Sequence, residues 1–414
     1  MRHISKRNSS ARYAILRWLI PFWLTGILFI PNIGGEYSIS ALLISFIWIL
    51  LPALLVLRMR LVHAAVYSQR PLVRYGMLGF LAVAGASCQY SINPQISFQY
   101  WVVTIVGFML CAGLWHAITG HEIEVLERFA ILATCGFIYI FSTSYSGTGR
   151  FGSIRNPNSI GLMLVGIIAA SFAIRWVAIR FACLTACIYM LWHTQSRSAI
   201  IATIILITSY IFLMWKALPR FTRVAFLIGM VAVGTVSFLY RDVLEEPVGA
   251  FTTTSLQLND RDRGTNTGFT GRYQVWEIGI DAWQQNWLGG IGYRAHEYYP
   301  GLEMTLHNGF LAILVETGAL GMLFVLSIVF SGLRELFTQA QEGSVTARIG
   351  LSLAIAYLFI SFWERYLFNF GTPTSILVLM FLLIPKDRHC ISPQRPRSVR
   401  VSVRTAKAAV TSVG

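Results

Sequence analysis

Charge is scarce in this chain: Asp, Glu, Lys and Arg together make up 12% of its 414 residues, about half the share of an average soluble domain. That shortage, set beside 55% hydrophobic residues, excludes a soluble enzyme and a disordered protein alike. Cysteine is also sparse. The 6 present, at positions 88, 111, 135, 183, 187 and 390, form no CxxC pair, and none lies in the largest polar segment. Neither a disulfide scaffold nor a cysteine-held metal is expected. There is no GxSxG elbow, no phosphate-binding P-loop, no clustered His/Cys set and no internal repeat.

What is present is apolar sequence in long blocks rather than on alternating faces, with a mean hydropathy of +0.61. Lipid is the solvent that suits such blocks. A transmembrane helix takes about 20 mostly apolar residues. Twelve spans can be drawn, near 15–31, 38–57, 73–88, 98–118, 129–144, 158–174, 178–193, 199–215, 223–240, 307–331, 349–363 and 366–385. The expectation is an all-α polytopic membrane protein of about 12 transmembrane helices, with both termini cytoplasmic. Arg2, Lys6, Arg7 and Arg12 precede the first run and no small-residue cleavage site follows it, so it reads as a retained span.

Charge supports that topology. The inner segments would hold 24 of the 33 Lys and Arg but only 6 of the 18 Asp and Glu, the bias that orients membrane helices. The same distribution removes nucleic acid as a partner, because the net charge of +15 is spread over many short loops.

The layout has four parts: helices 1–9 in residues 1–240, a large outer loop at 241–306, helices 10–12 in 307–385, and a basic tail at 386–414 that reads as disordered. Within the loop, 251–271 is rich in Thr, Gly, Asn and Asp and reads as mobile. Trp276, Ile280, Trp283 and Trp287 then recur at i, i+4, i+7 and i+11, which predicts a helix over 272–287. Its tryptophan stripe suits the outer membrane–water interface. The alternative is a helix packed on the loop's own core.

Nine arginines and no lysine fall outside or at the outer ends of spans: 150, 155, 197, 241, 261, 263, 272, 294 and 365. Orientation does not require them there. An anion would, since guanidinium forks match phosphate oxygens and keep their charge, and near a membrane that anion is a lipid phosphate or diphosphate. Arg261 and Arg263 interleave with Asp260 and Asp262, and pairing among them is the simpler account. Asp260-Arg261-Asp262 also has the DxD spacing of cation-binding glycosyltransferases, a pattern too short to be specific.

Arg197 stands in the turn His193-Thr194-Gln195-Ser196-Arg197-Ser198 between two apolar runs. There a charge is expensive and usually functional, and Gln195 adds amide donors to an oxyanion cradle. The turn Ser153–Ser159 holds Arg155 and Asn158, which either serve the same anion or, for Asn158, cap the next helix. His307-Asn308-Gly309 opens the span after the loop, where a histidine can take a proton near neutral pH. Glu316 lies nine residues on, across a regular helix, so no direct dyad with His307 is expected. Glu364 and Arg365 either pair with each other or contribute to the site.

Gln195-Ser196-Arg197-Ser198, Gly271-Arg272 with Trp276, Gly289 to Tyr293 followed by Leu306-His307-Asn308, and Glu316-Thr317-Gly318 with Gly321 together resemble the O-antigen ligase and polymerase superfamily. Asn156-Pro157-Asn158 is similar to a further motif of that family. The resemblance covers roughly residues 150–370. It implies a GT-C-like, inverting, metal-independent glycosyltransferase without cofactor in the bacterial inner membrane, its active site facing the periplasm. Its partners would be an undecaprenyl-diphosphate-linked glycan and, for the ligase branch, lipid A–core. The resemblance also implies that Arg197 and Arg272 hold the diphosphate and that His307 activates the acceptor or assists at the phosphate. Arg155, Asn158, Gln195, Trp276, Arg294 and Asn308 complete the expected substrate-binding set. O-antigen polymerase and protein O-glycosyltransferase are the alternatives within the family. A transporter of lipid-linked sugars is the alternative outside it.

Overall fold

A computed structural model describes residues 15–29, 52–54, 56–57, 61–145, 147, 150–152, 156–215, 219–221, 223–224, 228, 235, 272–302 and 305–384. Among these the regular structure is helical throughout: α1 (Ile15–Phe29), α2 (Leu61–Ser68), α3 (Pro71–Ser87), α4 (Pro94–Ile118), α5 (Glu122–Ser144), α6 (Pro157–Ser171), α7 (Val177–Thr194), α8 (Arg197–Met214), α9 (Arg272–Gln285), α10 (Gly309–Gln341), α11 (Val345–Trp363) and α12 (Pro373–Leu382). Six of these, α4, α5, α7, α8, α10 and α11, are long and apolar enough to cross a membrane. Helices α1, α3, α6 and α12 are apolar but shorter. The expected spans 38–57 and 223–240, the DxD and residues 241–271 of the outer loop, with the stretch read as mobile, lie outside or largely outside the described residues.

The helix starts are written in the sequence. Proline takes the first position of α3, α4, α6 and α12, where its missing N–H costs nothing and its fixed φ suits the helix. Asn93, Asn156, Asn308, Ser344 and Thr372 accept from backbone N–H groups of the turns they open. Large apolar side chains such as Phe22, Tyr139, Phe181, Ile204, Phe212 and Phe330 face outward, a pattern that lipid rewards and water does not.

Two short helices lie at the centre. All residues from Ser159 to Ser171 of α6 are buried, as are all ten of α12, and Thr374 Oγ1 donates to the Leu162 carbonyl at 2.9 Å to join them. At about 1.5 Å per residue α12 is only about 15 Å long, half the thickness of a bilayer core. It is tolerated because protein, not lipid, surrounds it. Helices α10 and α11 are joined by the short connection Glu342-Gly343-Ser344, and the end of α11 lies against the start of α10, where a Cβ on Gly309 would press on the Ser361 carbonyl.

Helix α10 is broken at Gly318, whose φ of 64° and ψ of −170° are not helical. In an unbroken helix the Val315 and Glu316 carbonyls would accept from Ala319 and Leu320. Here they accept instead from Ile291 N (2.9 Å) and Gly292 N (3.1 Å), while Ala319 N and Leu320 N donate to the carbonyls of Trp287 (2.8 Å) and Leu288 (3.3 Å). The turn segment 287–292 thus replaces these missing helical bonds. This explains why Gly289 to Tyr293 and Glu316-Thr317-Gly318 travel together. A Cβ at Gly290 would collide with the Glu316 carbonyl, and one at Gly318 with the Leu288 carbonyl.

Helix α9 ends at Gln285, two residues short of the expected end, and Trp287 lies in the turn beyond. Its buried residues are Gly279 and Ala282. These two sit against a small core of Ile291, Leu302, Leu306, Ala312 and Val315, with Trp283 half-buried against the same core. This core joins loop residues to Ala312 and Val315 of α10, while Tyr273, Ile280 and Trp287 stay exposed.

Candidate active site

Three helix N-termini meet at one end of the bundle. The first turn of α6 touches that of α8, where a Cβ on Gly161 would press on Ser196 and Ala199. Asn158, in the first turn of α6, donates through Nδ2 to Glu364 Oε1 at 2.7 Å. His307, just before α10, places Nδ1 3.2 Å from Glu364 Oε2. Unsatisfied N–H groups and helix dipoles make such ends favourable for anions.

Glu364 is the hub. It caps the end of α11, is nearly buried, and takes a third partner in Arg272, whose guanidinium donates to Glu364 Oε1 (3.1 Å) and to the Trp363 carbonyl (2.6 Å). A buried carboxylate with three donors is fully compensated. Arg150 joins from the loop before α6, donating to the Thr194 carbonyl (3.0 Å), the Asn158 Oδ1 (3.3 Å) and the Gln195 carbonyl (3.5 Å). Arg197 is the half-buried first residue of α8, one position after Ser196.

A second cluster adjoins the first through the chain. Arg365, the residue after the hub, donates to Glu316 and to Glu297 Oε1 (2.9 Å). Glu316 is buried and also meets His296 Nδ1 at 2.6 Å. The Leu306 N–H donates to His296 Nε2 at 3.5 Å, so Nδ1 carries the proton and the ring is neutral. Burial first, and the Arg365 charge second, hold His296 below its ordinary value of 6.5 despite the Glu316 carboxylate.

Backbone strain concentrates here. Among the described residues the non-glycine positions with positive φ are Gln195 (50°), Arg294 (61°), His307 (45°) and Phe368 (54°). All four stand in the turns that build these clusters. Such conformations cost energy and persist where the surroundings over-determine them, often at functional sites.

The expected residues divide accordingly. Arg272, His307 and Asn158 come together on Glu364, with Gln195 held next to them through Arg150. Arg294 stands with the second cluster, donating to the Phe368 carbonyl at 3.3 Å and facing the Tyr100 ring. Trp276 donates to the Leu306 carbonyl at 2.7 Å. Asn308 is the cap of α10, accepting from Phe310 N and Leu311 N at 3.0 Å. Arg155 lies outside the described residues. Glu364 and Arg365 do not pair with each other through their side chains; each serves its own cluster. The structure adds His296 and Glu297, to which sequence reasoning had assigned no role, and gives Arg150, until then one of nine outer arginines, its specific partners. Their partners lie far along the chain, and the only signal was an arginine outside the spans. Among the described residues no three His, Cys, Asp or Glu side chains converge as metal ligands would.

Residues 181–326 match the family model described as O-Antigen ligase. The resemblance to the O-antigen ligase and polymerase superfamily is borne out over that segment, which runs from α7 through the break in α10. Members of the O-antigen ligase family are glycosyltransferase-like enzymes of bacterial inner membranes. The matched segment contains Arg197, Arg272 and His307, whereas Asn158 and the hub Glu364 lie outside it. No curated protein matches the chain.

Proposed function

We propose that the protein is an O-antigen ligase, transferring a glycan from undecaprenyl diphosphate to a hydroxyl of lipid A–core at the periplasmic face of a twelve-span inner-membrane protein. The observation that carries this reading is the Arg272–Glu364–His307–Asn158 cluster at the meeting point of helix N-termini.

Inverting transfer needs an acceptor hydroxyl in line with the anomeric carbon, a site for its proton and stabilisation of the departing diphosphate. As the hydroxyl oxygen bonds to the anomeric carbon, the bond to the diphosphate oxygen breaks and negative charge grows on the leaving group. Arg272 and Arg197, beside the N-termini of α10 and α8, supply a fixed positive field where that charge develops. His307 Nδ1–H donates to Glu364, which leaves Nε2 as the basic nitrogen for the hydroxyl proton. Its side chain is 29% exposed, enough to reach a substrate.

The test is reconstituted transfer, with purified protein, undecaprenyl-diphosphate glycan, lipid A–core and a chelator. Lengthened lipopolysaccharide is the expected product. Longer lipid-linked chains without transfer to core would move the reading to polymerase, and silence in both would return transport to the front.

A further inference from the structure

Beside the broken turn of α10 the surface opens into a cavity of about 520 Å³, within the roughly 300–1,000 Å³ of small-ligand sites. None of its lining residues carries a charge, in contrast to the two ionic clusters nearby. Its walls are aromatic and amide: Tyr90, Trp287 and Tyr299 with Gln285 and Asn286. Trp287 is 58% and Tyr90 51% exposed, so their ring faces are open to a ligand rather than spent on the core. We propose that this cavity is a subsite for an uncharged sugar ring of one of the two glycans, an inference that rests on the glycosyltransferase reading above.

The chemistry of the lining selects that ligand. A pyranose offers an apolar C–H face, which stacks on Trp and Tyr rings, and an equatorial rim of hydroxyls, which planar amides and phenols can bridge. A phosphate would find no cation here, and an acyl chain would leave unused the acceptor capacity that the amide and phenol oxygens keep beyond their bonds within the protein, which a rim of hydroxyls can engage. The cavity is also preformed. Its floor, Gly289 to Ile291, is tied to α10 by the bonds at Val315 and Glu316, and Tyr90 Oη donates to the Gly289 carbonyl at 2.8 Å. Trp283 Nε1 holds the Trp287 carbonyl at 3.1 Å, and Tyr299 Oη donates to Gln285 Oε1 at 3.4 Å. Little ordering remains for the ligand to impose. The same floor segment runs into Tyr293 and Arg294, so a sugar seated here is held by the stretch that also bonds the Glu316 carbonyl.

The test is binding, read separately from transfer. Full-length protein in detergent is titrated with two probes in separate arms: the oligosaccharide released from lipid A–core and the glycan released from the lipid-linked donor. Tryptophan fluorescence and saturation-transfer NMR report occupancy. One probe is expected to saturate. Trp287→Ala should weaken it roughly tenfold, as for one lost stacking contact, while Trp287→Phe keeps most of the affinity. The arm that saturates identifies the sugar as acceptor or donor. Saturable binding in a protein that transfers nothing would sink the ligase reading and leave the subsite standing. Transfer with unchanged acceptor and donor KM in Trp287→Ala would sink the subsite alone. Quenching of Trp287 by brominated lipid, with no response to either saccharide, would make the cavity a lipid contact and overturn the proposal.

Discussion

His307 Nδ1 and Glu364 Oε2 stand 3.2 Å apart, which joins the residue two positions before α10 to the residue that follows α11. The carboxylate fixes which ring nitrogen carries the proton and which way the ring points. Glu364→Gln keeps the shape and removes the charge. It is expected to lower kcat by about 10²-fold, the range of general-base assistance, with the donor KM little changed. Glycan-transfer kinetics on protein with an unaltered elution profile would show this, and an undiminished kcat would remove Glu364 as the group that positions His307.

Arg272 spans two acceptors, the Glu364 carboxylate and the Trp363 carbonyl. A lysine ammonium is a point charge on a flexible stem and cannot hold both in one plane. Arg272→Lys should therefore retain donor binding but lose transfer roughly 10- to 100-fold, the scale of one misplaced electrostatic group. Equal activity would mean that charge alone suffices at this position, against recognition by a fork.

Much of this architecture is legible in the chain, and the illegible parts have physical reasons. Blocks of apolar residues identify the long helices, since nothing but lipid or a deep core accepts them. Arg272 stands out because orientation disfavours an arginine on the outer side, and His307 because it opens a span. Glu364 is flagged only together with Arg365, and its role as a hub stays hidden because its partners lie 57, 92 and 206 residues away. The tryptophan stripe of α9 is legible only in part for a different reason: bulky periodicity shows which residues share a face, whereas the fully buried positions are the small residues Gly279 and Ala282. The break in α10 is hidden as well. Glu316-Thr317-Gly318 reads as continuous apolar helix until the segment that pairs with it, 287–292, is in place.

That break should be sensitive to a single methyl group. Gly318 has φ 64°, and a Cβ there meets the Leu288 carbonyl, which is backbone and cannot move aside without breaking the exchanged hydrogen bonds. Gly318→Ala is expected to destabilise the protein by about 2–4 kcal/mol, combining left-handed strain with the clash. Thermal unfolding in detergent measures it. A midpoint equal to that of the wild type would mean that α10 can run straight through this position.

His296 supplies the pH dependence. It is fully buried, and burial together with the Arg365 charge keeps its pKa below 6.5 in the folded protein, although Glu316 pulls the other way. The folded ring therefore stays neutral at a pH where the unfolded chain already binds a proton. Stability from this group is complete above about pH 6.5 and is lost as the pH falls from there toward the folded pKa, with a slope limited to about 1.4 kcal/mol per pH unit for one proton. His296→Gln keeps a donor for Glu316 and does not titrate. Between pH 7 and pH 5 its unfolding midpoint should fall less steeply than that of the wild type, whatever other groups contribute to both. Parallel profiles would show that His296 takes its proton as readily when folded, and would place a cation beside Glu316 and Arg365 instead of a neutral ring.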